Sequence, residues 1–393
     1  MFKKTFILLG MCILFICLNS TPTSAQKVRG VTETEILVGQ WGPQTGPAAG
    51  WGAVARGTDL FFKIVNEEGG IHGRKIRYFL RDDSYQPAKT KAIAKEFVED
   101  IGVFAVIGGV GVATGMSVRD YLMENNVFWF GPVTGVYEWI RPFQKYLFAM
   151  YPLYDDEIYT LTGYFYEKLG LKKIAVFYQN DSYGKQGLLG VERYLKEKNS
   201  TPVAKVSAEV TDRDLSTHAL KLKESGAEAS IMITNPSHAA LILMECAKIG
   251  FKPQWGTSNT LSDAPFMLQI TKGLWAGMIH SNFIEDPDSN HPLMIKYRGY
   301  HKKYAPQERW GVFYIAGILF AEPFVEGLKR VGKNLNTETL MKALEELKDF
   351  RGIGGPITYS PNDRQGAKHL WYGKVRPDGK IEKITDWIKV TKW

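Results

Sequence analysis

Short apolar runs of strand length alternate with longer stretches of helical period along most of the 393-residue chain, and this alternation restricts the fold more than any other feature. Ile36 to Trp41 reads as a strand, and Gly50 to Asn66 as a helix with apolar residues at Ala53, Leu60, Phe61, Ile64 and Val65. Glu67-Glu68-Gly69-Gly70 stops it. Ile76 to Leu80, Val103 to Ile107 and Val127 to Phe130 continue the strands, separated by helices over Pro87 to Asp100 and Met116 to Glu124. A second series follows: strands at Ile174 to Tyr178, Val203 to Val210, Ala229 to Ile233, Trp255 to Thr257 and Trp275 to His280, with helices at Tyr183 to Lys198, Leu215 to Ser225 and Ser237 to Lys248. Strands separated by whole helices need crossover connections, which produce parallel sheets covered on both faces. The expected fold is α/β, with two doubly wound parallel-sheet lobes and a ligand crevice where the carboxyl ends of their strands face each other.

The first 25 residues read as a separate object. Lys3 and Lys4 precede an apolar run from Phe6 to Leu18, followed by small residues ending at Thr23-Ser24-Ala25. That order is a signal peptide cleaved after Ala25, its apolar run shorter than the roughly 20 residues that span a bilayer. Cys12 and Cys17 would leave with it, and neither follows a small residue as a lipidated cysteine does. One cysteine, Cys246, remains in an apolar run, so it reads as a buried small hydrophobe with no disulfide. The expected compartment is the periplasm, where a chain this long folds without disulfide staples.

The net charge of +8 is scattered over pairs such as Lys172-Lys173 and Lys302-Lys303 rather than gathered into a run, so no nucleic-acid partner is expected. Catalysis finds no support either. His218, His238, His280 and His291 stand alone, without the helical spacing of a zinc pair, so no metal or other cofactor is expected. Gly109-x-Gly111 has its third glycine at Gly115, one position late for a dinucleotide loop. Asp82-Asp83 is adjacent on a strand, which points the two carboxyls to opposite faces; it reads as surface or hinge-side structure.

A family resemblance rests on an ordered set of segments. Gly42-Pro43-Gln44-Thr45-Gly46-Pro47, Trp51-Gly52, Asn66-Glu67-Glu68-Gly69-Gly70-Ile71-His72-Gly73-Arg74 and Asp82-Asp83 open it. Val106-Ile107-Gly108-Gly109, Gly131-Pro132, Val176 to Gly184 and Gly354-Gly355-Pro356-Ile357 continue it in register. Together they resemble the type I periplasmic solute-binding proteins of the branched-chain amino acid (leucine/isoleucine/valine-binding) class of ABC importers. The resemblance implies three crossings between the lobes, near Leu147 to Met150, Ile279 to Asn282 and Gly354 to Pro356, forming a three-stranded hinge. Lobe I would hold 26–147 and 283–354, and lobe II 148–281 and 355–393. Its partners would be a small-molecule ligand and the membrane permease subunits of an importer, with the chain itself a monomer. The alternative from another class is a ligand-sensing receptor module of the same fold that regulates a partner protein. A chain without an appended kinase or DNA-binding segment favours transport.

The ligand contacts expected are Trp51, Val112, Ala113, Thr114, Thr134, Gly135, Tyr183, Asn235, Ser258 and Asn259. The glycine-rich run Gly108 to Gly115 follows a strand and opens a helix, so its amides and positive end suit an anionic or carbonyl group. Val133-Thr134-Gly135 offers a second such edge. By the resemblance, Val112 stands where the family has a serine on the ligand, with Thr114 a substitute hydroxyl; Tyr183 matches a lid from the second lobe, and Trp51 an aromatic of the cleft. Near Gly256-Thr257-Ser258-Asn259 the family's amino-acid binders place a glutamate against the ligand's ammonium, and here stand Ser258 and Asn259. A buried ammonium without a carboxylate costs several kcal/mol. Either Asp263, Asp181 or another acid supplies it, or the ligand is an apolar or aromatic acid or amide, stacking on Trp41, Trp51, Tyr137 or Tyr151.

Overall fold

The computed structural model describes residues 28–390; the leader expected at 1–25 lies outside them. The chain builds a first series of strands, β1 (Glu35–Gly42), β2 (Lys75–Asp82), β3 (Ala105–Ile107), β4 (Phe128–Phe130) and β5 (Leu147–Phe148). Helices α1 (Ala53–Glu67), α2 (Pro87–Lys95) and α3 (Val112–Glu124) connect them. All five strands are parallel, in the order β2-β1-β3-β4-β5.

The second series comprises α4 (Tyr154–Gly163), β6 (Ile174–Gln179), α5 (Ser182–Glu197), β7 (Ala204–Ala208), α6 (Ser216–Glu224), β8 (Ala229–Ile233), α7 (Pro236–Lys248), β9 (Gln254–Thr257), α8 (Ala264–Ile270) and β10 (Ile279–Asn282). Helices α9 (Pro292–Tyr304), α10 (Val312–Val331) and α11 (Thr337–Glu345) follow, then strands β11 (His369–Val375), β12 (Ile381–Lys383) and β13 (Ile388–Lys389). Strands β7-β6-β8-β9-β10 are parallel, and β11 joins the edge antiparallel with β12 and β13 paired to it. The second sheet is therefore mixed at one edge, a feature the period of the sequence does not announce.

Local chemistry sets the element ends. Prolines open α2, α7 and α9, where a missing amide costs nothing. Asp181 caps α5 by accepting the Gly184 amide at 3.1 Å. The strand expected over Trp275 to His280 is corrected: Trp275 packs into the core from a turn, and pairing starts only at Ile279. Strand β7 is likewise shorter than the expected Val203 to Val210.

The two sheets are joined where the chain passes from β5 into α4, from β10 back towards α9, and from α11 towards β11. These segments bond to one another: the Ala149 amide to the Arg364 carbonyl (2.9 Å), the Ala367 amide to the Met150 carbonyl (3.0 Å), and the Glu285 amide to the Ile353 carbonyl (2.7 Å). Glu322 of α10 braces this region, accepting the Ile353 amide at 2.8 Å and the Tyr297 hydroxyl at 2.8 Å. Burial raises its carboxyl from 4.5 to about 7, against the lowering effect of those two bonds. The stability contributed by the neutral form is full below pH 4.5 and is lost as pH rises through about 7. Glu322→Gln, melted at pH 5 and pH 8, is expected to flatten that decline by about 2 kcal/mol; equal slopes in the two proteins would refute it.

Candidate functional site

In each sheet the strand order reverses beside its first strand, between β1 and β3 in one and between β6 and β8 in the other. Connections on either side of such a reversal part to opposite faces and leave a crevice at the carboxyl ends. The loops from both sheets meet there around one cavity with about 510 Å³ of empty space, the solvent at its mouth included. From the first sheet come Trp51, Tyr85, Val110, Gly111, Val112, Val133 and Thr134; from the second, Tyr151, Tyr154, Tyr183, Asn259 and Thr260; and from the start of α10, Val312, Phe313, Ala316 and Phe320.

The two walls touch directly. The Trp51 indole of the first wall donates to the Thr260 carbonyl of the second at 2.7 Å. Its ring meets Tyr183 edge-on, with centroids 6.2 Å apart at 86°, and Tyr151 stacks on Phe320 at 6.1 Å and 20°. Further out, the Ser237 hydroxyl donates to the Pro47 carbonyl at 3.0 Å. Asp263 accepts the amide of Phe313, at the start of α10, at 3.1 Å, and that of Phe266, in its own helix, at 3.2 Å.

Of the expected contacts, Trp51, Val112, Thr134, Tyr183 and Asn259 line the cavity. The other five lie elsewhere. Ala113 is exposed on α3. The Thr114 hydroxyl is turned to the carbonyls of Val110 (2.6 Å) and Gly111 (2.9 Å), so it closes the loop rather than facing a guest. Gly135 gives its carbonyl to the Tyr154 amide at 2.7 Å. Asn235 caps α7 through His238 and donates to Gln179, both at 3.0 Å. Ser258 stands behind Thr260, hydroxyl to hydroxyl at 2.6 Å. Two of the expected stacking surfaces are also corrected: Trp41 is core, 5.3 Å from Trp129, and Tyr137 lies outside, beneath the Arg141 guanidinium.

Asp82 and Asp83 build a turn. Asp82 accepts the amides of Gln44 and Ser84, both at 2.8 Å, and Asp83 accepts the Tyr85 amide at 3.0 Å and the Thr90 hydroxyl at 2.9 Å. These bonds hold Ser84 and Tyr85 at φ of 49° and 60°, a left-handed backbone that turns the Tyr85 ring into the cavity.

Among the described residues the lining carries no Asp, Glu, Lys, Arg or His, and seven of its side chains are aromatic: Trp51, Tyr85, Tyr151, Tyr154, Tyr183, Phe313 and Phe320. Neither acid considered as an ammonium partner lines it. Asp263 is engaged by two amides, and Asp181 caps α5 while accepting the Gln179 side chain at 2.5 Å. Burial holds the phenols of Tyr85, Tyr151, Tyr154 and Tyr183 above their ordinary range, so they act as neutral hydroxyls. At one end of the cavity α3 begins at Val112 with no side chain capping its first amides, which leaves a positive end for an anionic or carbonyl oxygen.

Residues 35–380 match the family described as periplasmic binding protein. Leu/Ile/Val-binding protein homolog 1 of Brucella abortus (strain 2308) is 25% identical over 352 residues, 87% of this chain and 90% of that protein. Among solved structures, a fatty acid ABC transporter substrate-binding protein from Thermomonospora curvata superposes with a TM-score of 0.85 at 21% identity, covering 94% of this chain and 96% of that one. A branched chain amino acid ABC transporter from Thermus thermophilus with bound valine gives 0.83 at 17% identity, over 91% and 97%. Among the described residues no helix is long and apolar enough to cross a membrane. Two lobes, a cleft at their strand ends and a family match over most of its length place this chain in the periplasmic binding protein family, as a substrate-binding protein and not an enzyme.

Proposed function

We propose that the chain captures a small apolar or aromatic carboxylate, or a related amide, in the cleft and presents it to the permease subunits of an ABC importer. Lobes of 26–147 with 283–354 and 148–281 with 355–393 would close on it as a monomer, and the export leader would end at Ala25. The observation that carries this reading is the uncharged, aromatic lining. Rings supply apolar area on every side of a guest, while the uncapped start of α3 suits its oxygen end. Trp51, Val112, Thr134, Tyr183 and Asn259 would contact the guest.

The Leu/Ile/Val-binding names of the Brucella relatives favour an amino acid. The lining offers an ammonium only hydroxyls, an amide and ring faces, and desolvating it without a carboxylate costs several kcal/mol. We expect calorimetry to find 4-methylvalerate and phenylacetate bound at least about tenfold more tightly than leucine and phenylalanine, a gap of roughly 1.4 kcal/mol. Tight leucine binding with no response to either acid would overturn the reading.

A further inference from the structure

Behind the cavity wall lies a carboxyl group that does not line the cavity itself. Glu157 of α4 is 1% exposed. Its Oε1 accepts the Asn259 amide at 2.8 Å and the Ser281 hydroxyl, and its Oε2 is buried without a partner among the described residues. Asn259 lines the cavity and accepts the Tyr151 hydroxyl at 2.9 Å. Ser281 belongs to β10, the last strand before the second crossing. Tyr151 follows the first crossing, and its carbonyl accepts the side chain of Gln365 from the third. One carboxyl group is thus tied to the polar wall and, directly or through Asn259 and Tyr151, to all three crossings.

We propose that Glu157 is a positioning residue, whose charge state sets the affinity of the cleft and the ease of hinge opening through Asn259 and Ser281. Its binding arm rests on the acid-binding reading given above; its hinge arm does not.

The direction follows from linkage. Burial raises the Glu157 carboxyl from 4.5 to about 7, the bonds from Ser281 and Asn259 opposing it. The packed wall therefore favours the neutral acid, and removing the proton favours any arrangement in which Oε2 reaches water. The phenols and the imidazole packed around Glu157 keep one charge state over the same window. Tyr151, Tyr154, Tyr183 and Tyr372 are held above their ordinary range by burial, and His280 on β10 is lowered to about 4. Asp155 and Asp156 of α4 pair with Arg193, and Asp263, on the loop of Asn259, accepts two amides. Burial raises the carboxyls of Asp155 and Asp263 as well, and both remain in Glu157→Gln, so the difference between the wild-type and Glu157→Gln profiles is the part that belongs to Glu157. Glu322 titrates in the same range from α10, so Glu322→Gln serves as the control.

The test uses the whole chain at pH 6.0 and 8.5, with two readouts. In amide hydrogen exchange corrected for intrinsic rates, protection across 257–262 is expected to fall in the wild type by roughly tenfold, because about one pH unit of this range lies below the packed carboxyl at about 7. Glu157→Gln keeps an oxygen acceptor without the charge and is expected to lose most of that fall, while Glu322→Gln retains the wild-type fall at 257–262. Phenylacetate affinity by calorimetry is expected to weaken over the same range in the wild type and to hold within about twofold in Glu157→Gln. Ser281→Ala removes a bond that lowers the carboxyl, so the midpoint of loss should move to higher pH, which provides a test even if Glu157→Gln fails to fold. The same pH profile in wild type and Glu157→Gln, or an unmoved midpoint in Ser281→Ala, overturns the proposal. Absence of phenylacetate binding counts against the ligand reading, and the exchange profiles then decide the role of Glu157 alone.

Discussion

Gly57→Val is expected to unfold or severely destabilise the protein, because α1 and α10 cross backbone to backbone at this point. A Cβ on Gly57 would stand 1.7 Å from the Tyr314 carbonyl oxygen, and one on Gly317 of the facing helix 1.9 Å from that of Val54. The Thr58 hydroxyl bonds across the same contact to the Gly317 carbonyl at 3.1 Å. A clash with main chain cannot be relieved by a rotamer change, so the helices must part and open the core that both bury. The cost should be about 3 kcal/mol or more, read as a large drop in melting temperature by circular dichroism. Gly299→Ala in α9 supplies the contrast: nothing lies within 4 Å of its Cβ, and helix propensity alone favours alanine by up to about 1 kcal/mol. Similar melting of Gly57→Val and wild type would mean that the helices do not approach this closely. Since α10 also brings Val312, Phe313, Ala316 and Phe320 to the cavity, a partly folded variant should lose binding as well.

How legible this arrangement is in the sequence depends on which side of an element faces water. Strands β1 and β8 fall within a residue of the expected runs, because buried parallel strands are apolar from end to end. Helix α1 reads clearly, since it buries one face and wets the other. Helix α10 is covered nearly all round, so its apolar residues show no 3.6-residue stripe and its contribution to the cavity is hidden. Tyr85 is hidden for another reason: its place depends on two carboxylates folding the backbone into a left-handed turn, and adjacent acids on a strand do not announce that. Thr114 and Asn235 mark the opposite limit. Their polar groups stand at the right strand ends, yet each is used by nearby backbone, and residue type alone does not tell a ligand donor from a local tie. Trp51 and Tyr183 are legible through the family resemblance, whereas Trp41, a ring at the end of a buried strand, packs into the core.

Tyr183→Ala is expected to weaken capture of the tightest-binding acid by roughly 1–3 kcal/mol, or about five- to 150-fold, with the fold retained. The ring is 2% exposed, edge-on to Trp51 and 5.0 Å from Tyr154 at 62°, and its hydroxyl meets that of Thr260 at 2.6 Å. Thr260 also receives the Trp51 indole through its carbonyl, so Tyr183 supports a direct hydrogen bond that spans the two walls beside the guest. Removing the ring strips apolar area from the cavity and frees Thr260 to move, which lowers the population of the closed cleft as well as the contact energy. Tyr183→Phe separates these effects. It keeps the wall and removes only the hydroxyl, so the loss should be about 1 kcal/mol. The cap of α5 on Asp181 survives both changes, and melting temperatures close to wild type are expected. Calorimetry showing undiminished affinity in Tyr183→Ala would take the residue out of the site; equal losses in the alanine and phenylalanine variants would assign its role to the Thr260 contact and none to the ring.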